Sequence, residues 1–156
     1  MDNAVQLLKL LRGGPKNGKT TGGIRIIKAV TTDPNPITFV FEGTSVALDL
    51  AIFEVPVNLY PICKNDKFLA SPLIGDNMNR WGVTSCISRG YIVGTMTSAT
   101  QCQVEGIGRA YTSADLILPS FVPADGAVRP LKAGDTVSLL PVNTGGKIKY
   151  IVTYCF

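Results

Sequence analysis

Apolar positions change their period once along this chain. In Asp2–Arg12, Val5, Leu7, Leu8, Leu10 and Leu11 form an apolar set, with Leu7, Leu8 and Leu11 at helical spacing. Asp2 or Asn3 is placed to cap the segment, and Gly13-Gly14-Pro15 stops it. The pattern predicts a short helix over 1–12. Such a helix is marginal alone, so it must dock on its own sheet or on a neighbouring chain. Leu7, Leu8 and Leu11 are therefore the candidate interface residues. Residues 13–23 read as a Gly-rich linker.

Beyond Gly23 the spacing is that of strands. Ile24–Val30 is β-branched, and Ile37, Phe39 and Phe41 alternate onto one face. Thr32-Asp33-Pro34-Asn35-Pro36 between them is a turn, since two prolines forbid a regular ladder. Val46–Val57 is apolar but broken at Pro56, with Asp49 placed to cap a short turn. Lys67–Ala70, Arg80–Ile87, Tyr91–Met96, Cys102–Ile107 and Leu116–Leu118 are further strand candidates. Pro119–Pro130 is an irregular connection. The segments Thr136–Pro141 and Lys147–Phe156 flank Asn143-Thr144-Gly145-Gly146 and read as a hairpin. Many short strands with Gly/Pro punctuation predict a mainly β chain, a sandwich or small barrel, in a single domain over 1–156. No repeat period or heptad pattern accompanies them.

Composition narrows the chemistry. Hydrophobic residues make up 46% of the 156 positions and charged residues 17%, against about 25% charged in an ordinary domain. A surface so short of charge suits a protein covered by partners. Histidine is absent, which removes the commonest general base and metal ligand. The four cysteines, Cys63, Cys86, Cys102 and Cys155, form no CxxC pair, so no metal and no cofactor are expected. Cys86 and Cys155 lie in apolar or β-rich runs and are expected to be buried, with all four as free thiols. Met1–Leu11 lacks the length and cleavage signature of a signal peptide, and no stretch is long enough for a membrane helix. The net charge of +4 is uneven. Residues 1–28 hold six Lys/Arg (Lys9, Arg12, Lys16, Lys19, Arg25, Lys28) against Asp2 alone, while the remainder is close to neutral.

Gly13-Gly14-Pro15-Lys16-Asn17-Gly18-Lys19-Thr20 matches the phosphate-loop pattern GxxxxGK[ST] letter for letter. A phosphate loop needs a strand before it and a helix starting at the Lys-Thr pair. Here the preceding segment reads as helical, and Thr21-Gly22-Gly23 opposes a helix afterwards. The match is therefore read as a flexible basic linker, and a nucleotide hydrolase acting through Lys19 is the remotest reading. Asp115, Asp125 and Asp135 recur at ten-residue intervals, each beside a turn, which is their expected role. Phe39, Phe41, Arg80, Trp81 and Tyr91 could stack bases, but core packing explains the aromatics as well. Thr84, Ser85 and Ser88 have no histidine base. No catalytic residue is assigned, and the chain is read as a non-enzyme.

The order of several motifs resembles a known family. It runs from the opening helix through Asp33-Pro34-Asn35-Pro36-Ile37-Thr38-Phe39 to Leu59-Tyr60-Pro61-Ile62 and Asn65-Asp66-Lys67-Phe68. It closes on Leu131-Lys132-Ala133-Gly134-Asp135-Thr136-Val137-Ser138-Leu139-Leu140 and Lys149-Tyr150-Ile151-Val152. The series is similar to the XkdR-like small tail proteins of Firmicute phages and phage-tail-like bacteriocins. That resemblance implies an OB-type small β-barrel over 24–83 and 131–156, with 84–130 inserted. Asn65 stands where the resemblance implies a glycine.

The implied role is architectural: a non-catalytic component at the baseplate hub or central spike of a tail. Its partners would be the hub, the tube end and the tip, and by analogy it would form a homotrimer. It would be made in the bacterial cytoplasm and assembled into a virion or extracellular tail-like particle. Neither a membrane nor nucleic acid is expected as a partner. The alternative is an OB-type module binding an oligonucleotide or another ligand, for which salt-dependent oligonucleotide affinity, weakened by changing Lys16 and Lys19, would be the sign.

Overall fold

A computed structural model describes residues 23–73, 80–119 and 129–154. The expected helix with Leu7, Leu8 and Leu11, the linker up to residue 22, and Cys155 lie outside them. The described residues are mainly β. In chain order the strands are β1 (Arg25–Thr31), β2 (Thr38–Phe41), β3 (Leu48–Asp49), β4 (Phe53–Glu54), β5 (Lys67–Pro72), β6 (Trp81–Cys86), β7 (Ile92–Ser98), β8 (Gln101–Val104), β9 (Leu116–Ile117), β10 (Thr136–Thr144) and β11 (Lys147–Tyr154).

The first sheet has the order β3-β2-β1-β5-β6-β4. Alternation sends Ile27, Ala29, Phe39, Phe41, Phe68, Ala70, Trp81 and Val83 inward, and all are buried. The outermost strands β3 and β4 are separated only by a 3-10 turn, Leu50–Ile52. Its cap is Asp49, as the sequence suggests: the carboxylate accepts the Ala51 N–H at 2.8 Å. Three residues span at most about 10 Å. The two edges of the sheet are therefore drawn together, and the sheet curls into a small barrel. Edge-on rings fill it, with Phe39 against Phe53 at 4.9 Å and Phe41 against Trp81 at 4.8 Å between centroids. Each such buried phenylalanine stabilises the fold by roughly 1.5–3 kcal/mol.

The second sheet has the order β8-β7-β10-β11-β9. Its spine is the β10–β11 hairpin, which turns on Gly145-Gly146, both at positive φ (62° and 84°). That geometry suits a two-residue primed turn, so the connection is tighter than the four residues expected, and Asn143 and Thr144 continue the strand. The edges are tied by a short segment. Tyr111 and Cys102 exchange backbone hydrogen bonds at 2.7 and 2.9 Å, and five residues later Leu116 opens β9 alongside β11. This sheet also curls, around Met96, Cys102, Val104, Val137, Leu139, Tyr150 and Val152. Gly94 has no substitute here, since a Cβ would lie 2.4 Å from Cys102 Sγ.

The expected small-barrel class holds, but its partition differs. The segment 131–154 pairs with β7 and β9, not with the strands of 24–83. The strands of the first sheet pair only with one another, and β10 and β11 take their partners from the segment expected to be an insertion. Residues 84–86 thus complete β6, and the segment 92–117 supplies β7, β8 and β9, three of the five strands of the second curled sheet. Among the thiols, Cys63 and Cys102 are buried while Cys86 is only half-buried, correcting the expectation for Cys86. Ser85 and Cys86 lie at the far end of β6, where it leaves the core for the crossing to β7.

Candidate functional site

Three aspartates repeat one local device. Asp66, Asp115 and Asp135 each end a four-residue turn in which the carboxylate accepts the N–H three residues back. The donors are Cys63 at 2.9 Å, Thr112 at 3.0 Å and Lys132 at 2.9 Å. In each turn the aspartate N–H also donates to the carbonyl of that same residue. Each carboxylate then holds one arginine: Arg89 at 2.7 Å, Arg109 at 2.7 Å and Arg129 at 2.6 Å. Charge-assisted bonds of this length are the strong ones.

Two of these clamps sit where the sheets meet. Arg89 lies on the crossing from β6 to β7. Its Nε donates to Asp66, which is 6% exposed, and its Nη2 donates to the Pro61 carbonyl. Asn65 adopts φ +72° before that aspartate. Asparagine tolerates this left-handed region, so it serves where a glycine was implied. Arg109 donates from Nε to Asp33 at 2.7 Å, and from Nη1 and Nη2 to Asp115 at 2.7 and 2.9 Å. It thereby ties the proline turn of the first half to the closing segment of the second. These bonds hold the Asp115 carboxyl below the usual carboxylate range, chiefly through Arg109.

Between the clamps runs Glu105-Gly106-Ile107-Gly108-Arg109, pressed against the first half. Gly106 O accepts the Lys64 N–H at 2.9 Å and the Thr32 hydroxyl at 3.0 Å, and Gly108 N–H donates to Asp33 O at 2.9 Å. A Cβ on Gly106 would lie 2.9 Å from Cys63 Cβ, and one on Gly108 2.9 Å from Pro34 Cδ. Glycine at both positions lets two backbones touch.

Beside this seam opens a cleft of about 420 Å³. Tyr111 and Tyr150 stack at its base, with centroids 4.9 Å apart and planes 19° apart. Arg109 lies 5.0 Å from the Tyr111 ring centre. Burial raises both hydroxyls, Tyr150 to about 12. Tyr60, Ile37, Leu50 and Ile148 form the walls, and Asn35 stands at the mouth. Both phenols stay protonated at neutral pH, so the cleft offers hydroxyls and apolar surface.

A different surface lies on the outside of the second sheet. Register places Leu140 opposite Ile151, and Ile151 beside Ile117. The step after the Leu139–Ile92 pair brings Tyr91, just before β7, beside Leu140 in the same row. Tyr91 is 75% exposed and Leu140 56% exposed. Thr95, Thr136, Ser138 and Thr153 flank the row, and its charges are Lys147 and Lys149 toward the hairpin tip.

The residues singled out by sequence are distributed as follows. Leu7, Leu8 and Leu11, the Gly13–Thr20 stretch and Asp125 lie outside the described residues. Phe39, Phe41 and Trp81 are core residues, and Arg80 pairs with Glu54 at 3.0 Å. Ser88 donates to Asp66 and receives the Lys67 N–H. Asp115 and Asp135 build turns, as expected, each with its own arginine. Asp33, Tyr60, Arg109, Tyr111 and Tyr150 were not marked as a site. The Gly-x-Gly spacing just before Arg109 was the available signal, since two close glycines point to a backbone approach. No family model, curated protein or solved structure matches the chain.

Proposed function

We propose that the chain is a non-catalytic structural component of a phage tail or phage-tail-like particle, placed at the baseplate hub or central spike. The observation that carries this reading is the row Tyr91, Leu140, Ile151 and Ile117 on the outer face of the second sheet. It is a contiguous apolar stripe on a charge-poor chain, and such stripes mark surfaces that another protein covers. Pro141 on β10 removes one edge N–H beyond the end of β7, which disfavours docking by strand addition and leaves side-chain packing as the mode. The clamped junction also suits a subunit that transmits load as one body. A homotrimer is the expected assembly, with the hub, tube end and tip as neighbours.

The test is the mass of the purified protein by light scattering after size exclusion. A stable trimer that falls to monomer in Leu140→Asp supports the reading. A protein that is monomeric at every concentration, and never co-purifies with tail particles, counts against it. The alternative of an oligonucleotide-binding module rests on Lys16 and Lys19, which lie outside the described residues.

A further inference from the structure

We infer that the junction cleft is a binding site for a neutral saccharide ring, a property that goes beyond assembly. The side chains that form it disfavour every other ligand class. Arg109 cannot serve an anion. Four of its five N–H groups are used by Asp33, Asp115 and the Ala110 carbonyl, leaving one Nη2 N–H and no two-pronged fork for a phosphate or carboxylate. One arginine against two aspartates leaves the rim with a net negative charge, which repels anions further. A metal ion is no better served, since the carboxylates are already bound by the guanidinium, and no metal-ligating cluster occurs among the described residues.

A purely apolar ligand also fits badly. It would cover Asp33, Asn35 and the Tyr60 hydroxyl without pairing them, and each buried unpaired polar group costs about 1–3 kcal/mol. What matches is a neutral ring with apolar faces and a girdle of hydroxyls. Ile37, Leu50, Ile148 and the Tyr60 ring would pack its C–H faces. Asn35, which offers both a donor and an acceptor at the mouth, would pair its hydroxyls, and so would the Asp33 Oδ1 that Arg109 does not use. The cleft is of the size that small-ligand sites have, about 300–1,000 Å³. Its walls come from loops of the first half and from Ile148 on β11, and the Arg109 clamp ties the two halves beside it, so the site is preorganised.

The experiment is a two-dimensional amide NMR titration of the full chain with glucose, N-acetylglucosamine and maltose, with adenosine and AMP as comparators. The expected result is saturable shifts at Asn35, Tyr60, Arg109 and Ile148 with at least one saccharide, and none with AMP. Asn35→Ala, at an exposed position, should weaken that binding about tenfold, the loss of one good hydrogen bond. Lys132→Ala, away from the cleft, should leave it unchanged. Shifts that never saturate, binding indifferent to Asn35→Ala, or a preference for adenosine or AMP over every saccharide would each overturn the inference. The cleft lies within one chain, so a monomer in light scattering would sink the assembly reading and leave this one standing.

Discussion

Single atoms decide what several residues must be. Gly106 combines φ +82° with a close approach to Cys63 and Lys64, whereas Gly43, at φ +85°, faces open space. Gly106→Ala should therefore cost about 2–4 kcal/mol, conformational strain plus overpacking, and Gly43→Ala only about 1 kcal/mol. Urea unfolding of the two variants measures the difference, and equal losses would mean that the seam can yield. The thiols differ in the same local way. Burial pushes Cys63 up to about 12 and Cys102 up to about 11. Both are thus held as neutral thiols, and their contribution to stability is full below the unfolded value near 9 and lost as pH rises through 11 to 12. A thiol reagent at neutral pH should label native Cys86 well before Cys63 or Cys102, and simultaneous labelling of all three would contradict the burial.

At the scale of elements, the aspartate turns connect local chain geometry to long-range ties. Arg89 and Asp66 are largely shielded, and removing one partner strands the other. Arg89→Ala should cost about 3–5 kcal/mol. The exposed Lys67–Glu42 pair, at 3.3 Å, should contribute at most about 1 kcal/mol, so Glu42→Ala is its natural control. Acid should weaken the Asp115 and Asp135 turns. Asp115 is held below its ordinary value, and Asp135 is lowered to about 2, first by Arg129 and then by the Lys132 N–H. A depressed carboxyl contributes above its unfolded value and loses that contribution as pH falls through the folded one. The loss is expected between about pH 4 and pH 2. Thermal melts across that window should show a flatter acid limb in Asp115→Asn than in the parent, and an unchanged limb would remove these turns from the acid response.

For the whole molecule, two curled sheets locked by Arg89, Arg109 and the Gly106–Gly108 seam should unfold together. A single transition in calorimetry is expected in the parent, splitting or broadening in Arg109→Ala if the lock is what couples them. Much of this fold was legible in the residue order. The alternation of Ile37, Phe39 and Phe41, the Asp49 cap, the hairpin around Gly145-Gly146 and the turn role of Asp115 and Asp135 follow from local sterics and hydrogen bonding, which act within a few residues. The site was not legible in the same way. Asp33 and Arg109 are 76 positions apart, and Tyr111 meets Tyr150 across the sheet, so neither pair leaves a trace in spacing. Strand partners had the same fate. Local pattern determined that the chain from Thr136 onward is a hairpin. Which sheet it joins depended on the edges that β7 and β9 present to it, and edge availability exists only once the chain is folded.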